Sequence, residues 1–299
     1  MKKLFPIFIL LTTNMAIAQT LDITSKKQLQ QMEEQLKVHT DSIINSEDFL
    51  TRFKSDSAFV RGFVQALKTK NSFYYNFDSL QISKLMSPDS SFKIFTWQVM
   101  KDFSYYRQRG AIQMKTADGS LKLFPLFDVS DFTENPLDSV RDANRWIGAI
   151  YYNIVMKKVG KTTYYTLLGS DGNDARSNKK YIEILTFNAE GKPQFGAPIF
   201  SYPNDGIKPY PPAYRFCLEF KKDGGARMNY EKNSGIIFMD HLISESNEPS
   251  LKYTLVPYGD YEGFKWVKGK WVFTDVPFEK IITEKPNYLP KPDKDLKEN

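Results

Sequence analysis

Cysteine is nearly missing from this 299-residue chain, and what little there is excludes a good deal. Cys217 stands alone, so no internal disulfide can form and stability has to come from a buried core, which a chain of this length can build. No cysteine lies near the N-terminus, so a lipid-modified anchor has no candidate. Histidine is almost as scarce, with only His39, expected to be exposed on the N-terminal helix, and His241. Long apolar runs are also missing. The longest begins at Leu4 and ends at Leu11, well short of the ~20 residues that a membrane-spanning helix needs. No GxSxG, HExxH, P-loop or GxGxxG arrangement occurs in a usable context, and no cofactor is expected. Excess charge of one sign is absent too. The chain has 41 basic and 35 acidic residues; without Lys2 and Lys3 the balance is 39 against 35, or +4. The lysines are scattered, so nucleic acid is not an expected partner.

What is present begins with residues 1–18. Lys2 and Lys3, the short apolar run and Ala16-Ile17-Ala18 before Gln19 have the form of a cleaved signal peptide. An exported protein of the periplasm or the extracellular space is therefore expected. Residues 19–90 read as a helical segment. Leu29, Met32 and Leu36, then Phe59, Val60, Phe63, Val64 and Leu67, recur at helical spacing, with an N-cap placed at Ser46 before Glu47 and Asp48. A further short helix is expected over residues 79–86, ended by Pro88.

From Phe92 the period changes to two, and residues 91–283 read as an antiparallel β domain. The fold class expected is α+β: an N-terminal helical segment, then a large, predominantly antiparallel β meander. Four turns fix trial registers. Asp118-Gly119 pairs Met114 with Leu123, and Gly160-Lys161 pairs Met156 with Tyr165, lining one face with Ile150, Tyr152, Ile154 and Met156. Asp223-Gly224-Gly225 pairs Phe220 with Met228, and Lys268-Gly269 pairs Trp266 with Trp271. Residues 284–299, with Pro286, Pro290 and Pro292, read as a disordered polar tail.

Candidate site residues fall in three places. The polar loop from Gly169 to Lys180 carries Asp171, Asn173, Asp174 and Arg176. It starts like a calcium loop, but Ala175, Arg176 and Ile182 stand where an EF-hand requires a ligand, glycine and glutamate, so no metal is assigned. Trp266 and Trp271 offer flat faces for a sugar, with Tyr258, Asp260 and Glu262 nearby; burial of that face is the competing expectation. Asp240 and His241 are adjacent, but strand alternation points them in opposite directions, and His241 is expected to be hydrogen-bonded in or beside the core. Cys217 shares a face with Arg215 and Lys221, which is the setting for a reactive thiol, although a lone cysteine is more often a small packed residue.

A series of blocks completes the reading: Ala149-Ile150-Tyr151-Tyr152, Leu167-Leu168-Gly169 with Asp171-Gly172, Phe195-Gly196 with Pro198-Ile199-Phe200, Phe238-Met239-Asp240-His241-Leu242 and Lys268-Gly269-Lys270-Trp271. In this order they resemble a set of uncharacterised exported β-rich proteins of Gram-negative bacteria, over roughly residues 92 to 276. The resemblance implies an exported β-rich module and carries over no catalytic residue. The function expected is non-catalytic binding of a glycan or an envelope protein. The alternative is an exported hydrolase with its carboxylates in the 169–180 and 259–262 loops.

Overall fold

The computed structural model describes residues 20–276. The signal peptide and the polar tail expected from the sequence lie outside that range. The layout is α+β. Among the described residues, two α-helices, α1 (Ile23–Asn45) and α2 (Phe49–Leu67), precede fifteen strands that gather into three sheets.

Each helix begins on an aspartate. Asp22 accepts the Ser25 N–H, and Asp48 accepts those of Leu50 and Thr51. The cap expected at Ser46 is thus displaced. Ser46 instead closes α1, returning its N–H to the Ser42 carbonyl, because only Asp48 is close enough to reach the free amides of the first turn of α2.

The helix expected over residues 79–86 is replaced by strand β1 (Ser83–Met86). Eight residues make a marginal helix, whereas here they pair with an open strand edge, Ser83 with Thr96 through Met86 with Lys93. That edge belongs to β2 (Phe92–Asp102), which is followed by β3 (Tyr105–Met114) and β4 (Lys122–Phe127) in a sheet of order β1-β2-β3-β4.

The second sheet contains β5 (Arg141–Asp142), β6 (Ile150–Val159), β7 (Thr162–Asp171), β8 (Ser177–Phe187) and β9 (Pro193–Phe195) in the order β5-β9-β8-β7-β6, with β11 (Phe216–Lys221) also paired to β8. The third contains β10 (Phe200–Ser201), β12 (Met228–Glu231), β13 (Ile236–Ser244), β14 (Leu255–Val267) and β15 (Lys270–Val276) in the order β10-β15-β14-β13-β12. Among the described strands, β10 and β15 pair in parallel and the other strand pairs are antiparallel.

Three cores fix how these parts stack. Leu29, Leu36 and Ile43 of α1, with Phe59 and Phe63 of α2, bury Phe95, Trp97 and Val99 of β2. Phe92 and Ile94, on the other face of β2, pack with Leu167, Tyr181 and Leu185 of the second sheet. Ile182 and Ile184 then face the third sheet, against Ile237, Phe264 and Trp271. The molecule is therefore four layers deep: helices, first sheet, second sheet, third sheet. Strand β2 alternates as the sequence requires, yet it is buried on both faces because both are covered.

Two of the four trial registers are found. Met156 faces Tyr165 across Gly160-Lys161, and Trp266 faces Trp271 across Lys268-Gly269, where both turn residues have positive φ (46° and 87°). The other two are corrected. Met114 faces Lys122, one residue away from Leu123. The intervening loop is drawn off by other partners, Lys115 N–H to the Ser91 carbonyl and Asn71 N–H to the Gly119 carbonyl. Phe220 and Met228 do not pair at all. Phe220 lies opposite Asn178 and Met228 opposite Met239, so the glycine turn carries the chain from the second sheet to the third. The single face expected for β6 is also split. A bulge between Tyr151 and Asn153 sends Tyr151, Ile154 and Met156 toward the first sheet and Tyr152 and Val155 toward the third.

Candidate functional site

The four residues of the polar loop are placed together between β7 and β8, but they satisfy one another. Asn173 takes a left-handed turn (φ 48°) and donates from Nδ2 to Ser177 Oγ at 2.7 Å. Asp174 accepts the N–H groups of Arg176 and Ser177. Ser177 in turn donates to Glu219 at 2.6 Å, and the Arg176 guanidinium lies 4.4 Å from the Tyr253 ring centre. This is Asx-turn chemistry closing a loop. Among the described residues no group of three or more His, Cys, Asp and Glu side chains is disposed to hold a metal ion.

The residues of β14 form a different cluster. Glu262 is buried and takes the Lys208 ammonium at 2.9 Å, Lys208 also pairs with Asp205, and Glu262 Oε1 has no hydrogen-bond partner. Burial raises the Glu262 pKa, and the Lys208 contact opposes that shift. Asp260 and Tyr258 are exposed beside His241, whose Nδ1 is 3.2 Å from Asp260 Oδ1. His241 therefore departs from its expected place at the core. The register jumps from Asp240–Tyr261 to Leu242–Pro257, and the bulge turns His241 outward. Asp240 stays buried and accepts the Arg227 N–H, so the two neighbours form no dyad.

Trp271 has no exposed surface and offers no face to a sugar. Its indole N–H donates to Thr166 at 3.0 Å, tying the third sheet to the second. Trp266 is partly buried, packed edge-on against Trp271 at 5.1 Å. Cys217 is no activated nucleophile either. Burial pushes its thiol up to about 12, and Lys179 only partly offsets that. Arg215, its expected cationic neighbour, is committed to Glu183 at 2.7 Å.

Asp171 and Glu262, one carboxylate from each of the two loops named for a hydrolase, face different cores. Asp171 continues the face of Tyr165 and Leu167, toward the first sheet, whereas Glu262 shares the face of Phe264 in the core between the second and third sheets. The second sheet stands between them.

What Asp171 does join is a chain of amides, buried Gln108 and half-buried Gln98. It accepts from Gln108 Nε2 of β3 at 2.6 Å and from the Asn173 N–H at 2.9 Å. Burial raises its pKa to about 6, Asp128 adds to the shift, and Lys179 and the two donors oppose it. Gln108 Nε2 also donates to Gln98 Oε1 at 3.3 Å, and the same oxygen accepts the Gly172 N–H at 3.5 Å. With two donors on its oxygen, the Gln98 amide has a defined orientation.

Gln98 lines a cleft of about 250 Å³, together with Thr40, Ile43 and Ile44 of α1, Gln81, Ile82 and Ser83, Thr96 and Trp97, and Ile150 of β6. The cleft exists because β1 ends its ladder with the pair Ser83–Thr96, so β2 runs on past it without a neighbour on that side. Helix α1 and the start of β6 form the walls. Most polar groups here are already engaged: Thr96 Oγ1 accepts the Tyr151 N–H, Ser83 Oγ donates to the Tyr151 carbonyl, and Trp97 Nε1 donates to Asp56. The remaining surface is mainly isoleucine, with the Gln98 amide as a fixed polar group.

Set against family models, curated proteins and solved structures, the chain matches none. No helix among the described residues is long and apolar enough to cross a membrane. Asp171 is legible in the polarity of its loop, whereas the cleft is not, because its walls come from residues more than a hundred positions apart. The available hint was a glutamine, Gln98, set between Trp97 and Val99 in the middle of β2.

Proposed function

We propose that this chain is an exported, non-catalytic binding protein that holds an envelope or secreted partner protein by taking an apolar side chain of that partner into the cleft between α1 and the first sheet. The observation that carries this reading is the cleft itself, an isoleucine-walled recess with one oriented amide, flanked by Ile44, which is 51% exposed at its lip. A protein partner is favoured over a glycan. Sugar sites rely on open aromatic faces, and Trp271 is enclosed while Trp97 is 7% exposed with its N–H bound to Asp56. Export rests on the form of residues 1–18.

A photo-crosslinking residue at Ile44 tests the proposal in an envelope or secreted fraction. One protein should be captured there, and capture should be lost when Ile150→Trp fills the cleft. The same crosslinker at Val159, exposed on β6, should not capture it. Equal capture with the cleft filled would refute the reading. Turnover of a glycan, ester or peptide that disappears with a single carboxylate substitution would put the hydrolase in its place.

A further inference from the structure

Lysines spread along the sequence are brought together at one end of the molecule. The β6–β7 turn carries Lys158 and Lys161, the β14–β15 turn carries Lys268 and Lys270 with Lys265 just before it, and the β12–β13 turn carries Lys232; all six are exposed. The turns adjoin. A Cβ placed on Gly269 would meet Val159 at 3.4 Å, and Ile236, just past the β12–β13 turn, pairs with Lys265. Among the described residues none of the six lysines forms an ion pair. Glu231 is the one acid in these three segments, and it accepts the Asn233 and Ser234 N–H groups. Glu190, in the neighbouring β8–β9 turn, is taken by Lys192 at 2.7 Å.

Two apolar side chains stand among these charges. Val159 is 42% exposed and Val267 is 43% exposed, one on each of the touching turns, and neither belongs to a core.

We propose that this end docks the protein reversibly on a membrane surface rich in anionic phospholipid, with the lysines meeting the phosphates and the two valines entering the headgroup layer. The combination decides the occupant. Lysines alone suit any polyanion, but apolar side chains in the same patch gain nothing from a sulfated sugar or a nucleic-acid backbone, whereas they are favoured where headgroups meet acyl chains. The lysines also sit at hairpin turns, which meet a flat surface more readily than they enclose a strand. The patch gives the docked molecule an orientation. Ile150, in the wall of the cleft, and Val159 are the two ends of β6, about 30 Å apart along the strand, so the cleft faces away from the lipid. This inference does not rest on the cleft being a binding site.

Co-sedimentation with vesicles tests it, using the chain from Gln19 onward, free of the apolar run near the N-terminus. The protein should pellet with vesicles of equal parts phosphatidylglycerol and phosphatidylcholine, stay in solution with phosphatidylcholine alone, and be released as salt rises from about 0.05 to about 0.5 M. Lys268→Gln with Lys270→Gln should weaken binding about 25-fold, each lysine near an anionic surface being worth about fivefold. Lys54→Gln with Lys101→Gln, on α2 and at the far end of β2, removes the same charge and should leave binding unchanged. Val159→Ser with Val267→Ser alters no charge; it should weaken vesicle binding several-fold and leave any binding to dextran sulfate as it was. Urea midpoints equal to the parent's confirm that the variants are folded. Binding indifferent to phosphatidylglycerol, or equal loss from the two lysine pairs, overturns the patch as a docking surface. Serine variants that bind vesicles like the parent, with dextran sulfate held as tightly as the vesicles, overturn the lipid and put a polyanion in its place.

Discussion

Asp171 is a carboxylate held where water scarcely reaches it, and that fixes the sign of its effect on stability. Its folded pKa of about 6 lies above the ordinary 3.8, so the native state binds this proton more tightly than the unfolded chain does. The contribution is therefore greatest below about pH 4, declines as pH rises through the window between the two values, and is constant above it. A shift of that size amounts to about 3 kcal/mol at most. Asp171→Asn should raise the urea midpoint at pH 8 and leave it unchanged near pH 4; equal effects at both would show that ionisation is not the cause. Arg215 and Glu183 show a buried carboxylate with a cation beside it. Burial raises the Glu183 pKa, but Arg215 holds it at 2.7 Å and also donates to the carbonyls of Pro136, Ser139 and Phe195. Arg215→Met leaves that carboxylate buried and alone and should cost about 3–5 kcal/mol in equilibrium unfolding. The double variant Arg215→Met, Glu183→Leu should recover much of the loss.

Elements were legible where their geometry is decided locally. Gly160-Lys161 and Lys268-Gly269 each join two strands of one sheet, so turn chemistry and alternation point to the same register. Asp118-Gly119 fails by one residue because β4 buries apolar groups on both sides, Leu123 toward the helices and Phe124 toward the second sheet, leaving alternation nothing to discriminate. Asp223-Gly224-Gly225 fails for another reason. Glycine permits a sharp reversal but does not say whether the next strand joins the same sheet or crosses to a facing one. The bulges at Tyr152 and His241 are equally silent in the sequence, and each reverses the face of the residues beyond it. The cleft is hidden for the same cause, since it depends on where β1 stops pairing. One contact between elements can be tested by itself. Trp271 Nε1 reaches across the core to Thr166, and Thr166→Val keeps the shape but leaves the indole N–H without a partner. That substitution should cost about 1–3 kcal/mol in thermal or urea unfolding, with the Trp271 emission shifted.

At the scale of the whole molecule, the helical segment and the sheets share a core. Phe95, Trp97 and Val99 are buried against α1 and α2, and Trp97 and Arg109 both bond Asp56 of α2. Arg52 of α2 adds a clasp, donating to the carbonyls of Met100 and Lys101 near the tip of the β2–β3 hairpin. Removing the helices strips one face of β2. Three large apolar side chains are then returned to water, at about 1.5–3 kcal/mol each, and Asp56 no longer neutralises Arg109. A chain starting at residue 91 also loses β1, exposing the β2 edge to pairing between molecules. Such a fragment should fail to give dispersed amide resonances and should aggregate, whereas the chain from Thr20 onward should unfold in one cooperative step with tryptophan fluorescence and far-UV dichroism superimposed. Two separated transitions in the longer chain, or a well-folded fragment, would mean that the four layers are two independent units and that the cleft at their junction is a gap between domains.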